Sequence, residues 1–318
     1  MARYIIKRVL LFIPILLGIS FIVLIFIDIT PGDPVMIIAG WDAKPEEVAK
    51  VARELALDRP ILVRYVEFIT NAVQGDLGVT FYTKRPVAPD IMGRFPYTAM
   101  IASMSVVLSI LIGVPLGVYA ATHQYSWKDN AAIFITLFLV SMPSFWLALL
   151  LVRGFAVGLG WVPVSGILSW KGWILPTFSI AVGYAASIAR QARSNMLQVI
   201  REDYIVTARA KGQSETVITY RHAFKNACIP LVMTIGGIFG MALGGSLVIE
   251  MIFSIPGLGQ YMIAALTNRD YPAIQGSTLF MSAIFCVVIL LIDIAFAFID
   301  PRIRSQYVRA KTRAKGDA

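Results

Sequence analysis

Long apolar runs separated by polar segments dominate the pattern of this 318-residue chain. A helix needs about 20 mostly apolar residues to cross the hydrocarbon layer of a bilayer, and six runs meet that requirement. They cover residues 9–28, 98–121, 131–155, 173–192, 228–253 and 277–299. The pattern therefore predicts an all-α polytopic membrane protein with six transmembrane helices.

The first apolar run is preceded by basic residues, as the core of a secretory signal peptide also is. These residues are Arg3, Lys7 and Arg8. The run is longer than a usual signal core, and no small-residue cleavage pattern follows it. We therefore expect residues 1–29 to form the N-terminus and an uncleaved first transmembrane helix.

The rest of the chain divides into three parts. Residues 30–97 form a long polar segment whose apolar positions recur at helical spacing, first at Val48, Val51 and Leu55 and again over residues 61–73. Residues 98–299 form a core of five predicted helices that contains a polar loop at 193–227. Residues 300–318 form a basic tail.

The distribution of Lys and Arg predicts the orientation, because short cytoplasmic loops are enriched in these residues. With the N-terminus inside, the inside segments hold 17 basic residues, whereas the two short outside loops hold only Lys171 and Arg269. The sequence thus predicts an N-in, C-in topology. Residues 30–97 are then a partly helical extracytoplasmic segment, and the loop at 193–227 and the tail at 300–318 are cytoplasmic.

Composition agrees with a membrane protein and excludes two other classes. Hydrophobic residues make up 58% of the chain and charged residues 15%, which is too apolar for an ordinary soluble domain or a disordered chain. The net charge of +9 is explained by topology and by attraction to anionic lipid headgroups, so no nucleic-acid partner is expected. Two Cys and two His residues give no reason to expect a metal site.

The loop at 193–227 carries the start and stop signals of a short helix. Glu202 and Asp203 are the acidic residues of its first turn, and Arg209 and Lys211 are the basic residues of its last turn. Gly212 is the left-handed residue that closes the helix. Ser214 is placed to cap a second short helix. The pattern predicts a compact knob made of two short helices, and a simple connecting loop between two spans is the alternative.

Residues 204–212, which read Tyr-Ile-Val-Thr-Ala-Arg-Ala-Lys-Gly, resemble the cytoplasmic signature loop of ABC-importer permeases. More narrowly, the chain resembles the first, B-type permease of dipeptide, oligopeptide and nickel importers. The motifs that carry this resemblance lie in order at 3–8, 30–34, 75–78, 142–146, 162–166, 253–259, 269–272 and 300–304. The Glu-Ala-Ala of the general signature is replaced by Val206-Thr207-Ala208, a form typical of the peptide-importer branch.

The resemblance implies the type I ABC-importer permease fold and a coupling loop that docks on a separate ATPase. The residues assigned to this role are Glu202, Asp203, Tyr204, Thr207, Ala208, Arg209, Ala210, Lys211 and Gly212. It also implies a second homologous permease, two ATPase subunits, an extracytoplasmic solute-binding protein and a location in the inner or plasma membrane of a prokaryotic cell. No Walker-type phosphate-binding loop occurs in the sequence, so ATP and Mg²⁺ would be bound by the ATPases and no cofactor by this chain.

Three further groups of residues are candidates within the predicted spans. Gly236, Gly240 and Gly244 suit close helix packing, either within this subunit or against the second permease. The third predicted span is interrupted at Met142, Pro143, Ser144 and Trp146. This interruption is an ordinary kink, a hinge or part of a pore lining. Asp293 is either a structural hydrogen-bonding residue or part of the pathway.

Substrate and mechanism leave alternatives open. The resemblance implies import of dipeptides or oligopeptides, with nickel chelates or glutathione as the alternative within the same architecture. A secondary transporter or channel that works without ATP is a rival class, and it would not need the knob. An intramembrane enzyme is a second rival, but no catalytic set is visible in the sequence, so we predict no enzymatic activity for this chain.

Overall fold

A computed structural model of the protein describes residues 2–30, 34–40 and 42–299. The predicted basic tail at 300–318 and the centre of the 30–34 motif lie outside these residues. The described residues form fourteen α-helices and no β-strand. The helices are α1 (Ala2–Ile29), α2 (Pro34–Ala39), α3 (Pro45–Glu54), α4 (Ile61–Val73), α5 (Val87–Thr122), α6 (Trp127–Ser141), α7 (Ser144–Leu151), α8 (Ile174–Val199), α9 (Asp203–Ala210), α10 (Glu215–Val217), α11 (Phe224–Gly245), α12 (Leu247–Ile252), α13 (Leu258–Asn268) and α14 (Tyr271–Ile299).

Four of the six predicted apolar runs lie in helices long and apolar enough to cross a membrane, and most of the run 228–253 lies in a fifth. These stretches are Ile5–Ile29, Val87–Thr122, Trp170–Val199, Glu215–Gly245 and Tyr271–Ala295. The helical character predicted for the segment 30–97 is also confirmed by α3 and α4. The all-α membrane class predicted from the hydrophobic pattern is therefore confirmed.

The third predicted span, by contrast, is not one helix. It consists of Ala131–Ser141 and Ser144–Gly158, which meet at an angle of 95°. Pro143 has no backbone N–H and disfavours helical geometry in the residue before it, and Met142 is accordingly extended, with φ −81° and ψ 123°. The interpretation of this site as an ordinary kink is therefore wrong, because the helix direction is broken. The second arm ends in a π-helical segment, Val152–Gly158.

The fifth predicted span also differs from expectation. The long helix ends at Gly245, and α12 follows after Ser246, so residues 228–253 form two helices in place of one. Helix α13 was not predicted at all. Its apolar residues Leu258, Tyr261, Met262 and Ala265 have the i, i+3, i+4, i+7 spacing of a helix with one buried face.

The described residues fall into two compact units, of which the first comprises residues up to Met100 together with Ser254–Cys286. In this unit the buried carboxylate of Asp270 accepts hydrogen bonds from the backbone N–H groups of Phe81, at 3.1 Å, and Ala273, at 3.5 Å. Burial raises the pKa of Asp270 despite these hydrogen bonds. The carboxylate thus fixes the turn between α13 and α14 to the chain at Phe81.

The second unit comprises Ile101–Phe253 and the residues from Val287 onward. Within it, α5 and α8 run parallel in unusually close contact. Ser109 Oγ donates a hydrogen bond to the Ala181 carbonyl at 3.0 Å. One turn further on, a Cβ added to Gly113 would lie 2.5 Å from the carbonyl oxygen of Ala185. One more turn on, a Cβ added to Gly117 would lie 2.4 Å from the carbonyl oxygen of Ala189. A stripe of small residues therefore lets the two backbones touch.

Candidate coupling surface

The segment between α8 and α11 folds into a protrusion that we call the α9 knob, residues 202–220. Helix α9 ends at Ala210, and the chain reverses through Gly212, whose φ of +76° is in the left-handed region. The predicted left-handed residue is therefore found at this position. A new helix then starts at Glu215 with α10 and continues through a π-helical segment, Ile218–Ala223, into α11, which ends at Gly245. The predicted second short helix is thus the first part of a long one, because no helix-breaking residue separates Glu215 from the apolar run.

The inner side of the α9 knob is a small apolar core. Ile205 and Ala208 of α9 pack against Ile218 and Ala223 of the following helix and against Met196 of α8, and all five are buried. Ala208, which the sequence assigned to the coupling surface, therefore faces inward and serves to seat α9. Burial of these side chains fixes the orientation of the short helix, which would be unstable in isolation.

The outer side of the α9 knob carries charged, small and apolar residues together. The other residues assigned from the sequence are exposed here, namely Glu202, Asp203, Tyr204, Thr207, Arg209, Ala210, Lys211 and Gly212. Val206 and Tyr220, which the sequence reasoning missed, are 56% and 63% exposed beside them. Exposed large apolar side chains grouped among charges are a feature of protein-binding surfaces. Val206 could have been found from the helical spacing, which places it away from Ile205 and Ala208.

Two polar contacts hold the outer side in place. Arg209 donates to both carboxylate oxygens of Glu215, at 2.7 and 3.2 Å, across the Gly212 turn. This hydrogen-bonded pairing raises the pKa of Arg209. Asn226 Nδ2 donates to the hydroxyl of Tyr204 at 2.8 Å. Ser214 occupies the N-cap position but its side chain makes no capping hydrogen bond, so Glu215 gains its fixed position from Arg209.

Next to the knob, α8 is tied to its neighbours by polar side chains. Arg193 donates two hydrogen bonds to the Asp129 carboxylate, at 2.7 and 2.6 Å, and Asp129 is almost fully buried. The hydrogen bonds from Arg193 lower the pKa of Asp129. Asn195 Nδ2 donates to the backbone carbonyl of Ala227 at 3.1 Å. Helices α6 and α11 are therefore both attached to the end of α8 from which the knob extends.

The candidate residues of the broken span lie at its corner. Met142 is partly buried, whereas Pro143, Ser144 and Trp146 are exposed. Ser144 is the first residue of α7, and Pro143 stands at its N-cap position. The four residues therefore lie at the bend between α6 and α7, in the second unit.

The three candidate glycines of α11 have different surroundings. A Cβ on Gly236 would lie 2.4 Å from the side chain of Ile292, so this glycine packs against α14 of the same chain. Gly240 is buried, whereas Gly244 is exposed and a Cβ there would meet no atom within 4 Å. Asp293, next to Ile292, is partly buried within α14. Among residues 2–30, 34–40 and 42–299, no group of three or more His, Cys, Asp or Glu side chains could hold a metal ion.

Comparison with known proteins gives two family matches and several close relatives. Residues 113–305 match the family described as binding-protein-dependent transport system inner membrane component, and residues 1–102 match the corresponding N-terminal family. The chain is 40% identical over 304 residues to the glutathione transport system permease protein GsiC of Escherichia coli strain K12, covering 96% of this chain and 99% of the relative. It is 39% identical over the same length to GsiC of Salmonella typhi.

The solved structures that resemble this fold include chains of a methionine transporter. A chain of the MetNI methionine ABC transporter, in an inward-facing conformation, gives a TM-score of 0.59 at 17% identity. The match covers 66% of this chain and 96% of the MetNI chain. A second crystal form of MetNI gives a TM-score of 0.52 at 22% identity. At these identities the likeness concerns the fold alone.

Proposed function

Because this chain belongs to the family of binding-protein-dependent transport system inner membrane components, we propose that its α9 knob couples ATP hydrolysis on partner subunits to peptide import. The chain is an ABC-importer permease with the type I permease fold, and it is a multi-pass membrane protein. Its role is to provide a membrane path. The energy for transport then has to reach that path through a contact with another subunit.

The single observation that carries this proposal is the two-sided construction of the α9 knob. Its inner side is fixed by the buried residues Ile205 and Ala208, while its outer side exposes Val206, Tyr220 and charged residues. A short helix seated on a core transmits a push better than a free loop does. Exposed Arg209 and Lys211 supply charge-assisted hydrogen bonds for a groove on the ATPase.

The remaining subunits follow from the same proposal. A second, homologous permease would complete the path, and two ATPase subunits would bind ATP and Mg²⁺ and receive the α9 knob. A solute-binding protein would deliver the substrate on the side of residues 30–97, where α3 and α4 offer a structured surface. This arrangement uses the predicted N-in, C-in orientation, with the α9 knob in the cytoplasm.

We propose small peptides as the substrate class, with glutathione included because it is itself a tripeptide. Support comes from the relatives named as glutathione transport permeases, at 40% identity over nearly the whole chain. Nickel chelates remain the alternative within this architecture. Titration of the purified solute-binding protein with dipeptides, oligopeptides, glutathione and nickel chelates would separate these choices, and selective nickel-chelate binding would contradict the peptide assignment.

The coupling role is tested at Gly212. A Cβ there would meet no atom within 4 Å, so the only obstacle to substitution is the left-handed backbone at φ +76°. A β-branched residue in that conformation costs about 1–2 kcal/mol or distorts the turn, whereas Asn adopts it readily. We expect Gly212→Val to abolish ATP-driven uptake in proteoliposomes that contain the assembled importer, and Gly212→Asn to retain it.

The same experiment separates the rival function. A channel or secondary transporter would carry substrate without ATP, and its uptake would be equal in the two Gly212 variants. Cross-linking adds a direct measurement, since a cysteine at the exposed Val206 should react with the ATPase subunit. A cysteine on the exposed face of α4 is the control and should form no cross-link to the ATPase. If Val206→Cys also forms none, the docking assignment is wrong.

A further inference from the structure

An apolar cleft lies between α5, α6 and α8 in the second unit. Its cavity volume is about 190 Å³. The walls are formed by apolar side chains, including Ile112 and Leu116 of α5, Ile133 and Leu139 of α6, and Phe178 and Val182 of α8. We call it the α5–α6–α8 cleft. Nothing in the coupling role of the α9 knob requires such a cleft.

One end of the cleft is positively charged. Arg190 and Arg193 of α8 line the cleft at this end, and Arg193 pairs there with Asp129 of α6. Because Asp129 neutralises Arg193, the net charge at this end comes from the exposed Arg190. No ion pair of Arg190 is found within the described part of the chain. The cleft is therefore apolar along its length, with one available guanidinium at its mouth.

The residues that line the cleft on α8 extend over about the depth of one leaflet of a bilayer. From Phe178 to Arg190, α8 advances about 18 Å at 1.5 Å per residue. Half the hydrocarbon thickness of a bilayer is about 15 Å. A helix of a second permease does not fit inside, because a helix with its side chains is about 10–12 Å across. The volume of about 190 Å³ is smaller than that of a whole acyl chain, so the cleft holds only the part of one unbranched chain nearest to Arg190.

We propose that the α5–α6–α8 cleft binds part of one acyl chain of an anionic phospholipid, whose phosphate pairs with Arg190. Basic pockets between transmembrane helices on the cytoplasmic side bind anionic headgroups in this way. The proposal goes beyond the transport function and uses only the predicted orientation, which places Arg190 at the cytoplasmic leaflet. A lipid held there would fill the space between α6 and α8 close to the end of α8 that carries the α9 knob.

The headgroup part of the proposal is tested by native mass spectrometry of the full-length chain. The protein is released from micelles that contain equal amounts of phosphatidylglycerol and phosphatidylcholine with identical acyl chains. We expect the wild type to retain one phosphatidylglycerol with about fivefold preference, from roughly 1 kcal/mol per basic residue near a membrane surface. Arg190→Gln should abolish the preference. Arg201→Gln removes one exposed positive charge outside the cleft and should leave it unchanged.

The acyl-chain part is tested by filling the cleft. Ala132 lines the cleft, whereas its neighbour Ala131 does not. Ala132→Leu should reduce retention of both lipids and abolish photo-cross-linking from a phosphatidylglycerol that carries a diazirine on its chain. Ala131→Leu is the matched control, and it should behave like the wild type in both measurements.

Four results would overturn the proposal. Equal retention of the two lipids by the wild type, or equal losses in Arg190→Gln and Arg201→Gln, would remove the role of Arg190. Equal lipid retention in Ala132→Leu and Ala131→Leu would show that the chain binds elsewhere. When the chain is co-expressed with the second permease, loss of the co-purified second permease in Ala132→Leu, with lipid retention unchanged, would identify the cleft as a subunit interface. Because these readouts need no ATPase activity, they are independent of the coupling proposal.

Discussion

Close contact between α5 and α8 makes a quantitative prediction at Gly117. A Cβ added to this residue would lie 2.4 Å from the carbonyl oxygen of Ala189, 2.7 Å from the Cβ of Ala192 and 3.0 Å from the backbone nitrogen of Arg193. Two of these three atoms belong to the backbone of α8 and cannot rotate away. Gly117→Ala therefore requires the two helices to separate.

The size of the effect follows from these distances. Ordinary carbon contacts lie at about 3.5–4.0 Å, so the helices have to move apart by about 1 Å around this point. Overpacking of this kind costs about 1–3 kcal/mol. Alanine has a higher helix propensity than glycine, by about 1 kcal/mol, which offsets part of the loss. A control is needed to cancel the propensity contribution.

Gly93 of the same helix provides that control. It is exposed, and a Cβ there would meet no atom within 4 Å. Gly93→Ala therefore gains helix propensity without overpacking, and the difference between the two variants isolates the contact. Ala192→Gly in the Gly117→Ala background removes the contact at 2.7 Å but leaves the carbonyl at 2.4 Å, so it should rescue the loss only in part.

The assay is equilibrium unfolding of the purified chain in mixed micelles with increasing dodecyl sulfate, followed by tryptophan fluorescence from its six Trp residues. We expect the free energy of unfolding of Gly117→Ala to be about 1–3 kcal/mol below that of Gly93→Ala. Equal free energies for the two variants, within about 0.5 kcal/mol, would refute the backbone contact.

Three further predictions concern charged residues. Glu215→Gln should lower ATP-driven uptake with less than about 1 kcal/mol change in unfolding free energy, because its pair with Arg209 is exposed; unchanged uptake would contradict the role of this pair in shaping the α9 knob. Asp129→Asn should remove a pH dependence of stability. Because Arg193 lowers the pKa of Asp129, the stability that the wild-type pair contributes is complete above about pH 4 and declines as the pH falls through the lowered pKa. Thermal unfolding in acidic buffers would measure this difference. Asp270→Ala should cost about 1–3 kcal/mol in the unfolding assay, because buried backbone N–H groups lose their acceptor, whereas an unchanged free energy would contradict the hydrogen bonds described for this carboxylate.

Much of the fold could be predicted from the sequence, because a membrane restricts the choices. A run of about 20 apolar residues in lipid has to satisfy its backbone internally, and a helix does so. Four of the six predicted spans were found as single helices for this reason, and a fifth was found over most of its length. The angle between the two helices at Pro143 could not be predicted from the sequence, since a proline in an apolar run is compatible with a kink of a few degrees or with the 95° observed.

The candidate site was predictable in its local features and unpredictable in its packing. The Gly212 turn and the ends of α9 follow from residue types whose preferences act over one helical turn. The inward orientation of Ala208 depends on Met196 and Ile218, which belong to other helices. The Asp129–Arg193 pair joins residues 64 positions apart, and no local pattern marks them as partners.

The bidentate pair between Arg209 and Glu215 has a consequence for conformational entropy. The four residues at 211–214 connect two helices, and the pair closes this connection before any partner binds. A free loop would lose about 0.5–1.5 kcal/mol for each side chain that it immobilises on association. Here much of that ordering already exists in the unbound chain. Each encounter of the α9 knob with another surface therefore begins from a preorganised shape, so a small interface suffices for a contact that forms and breaks repeatedly.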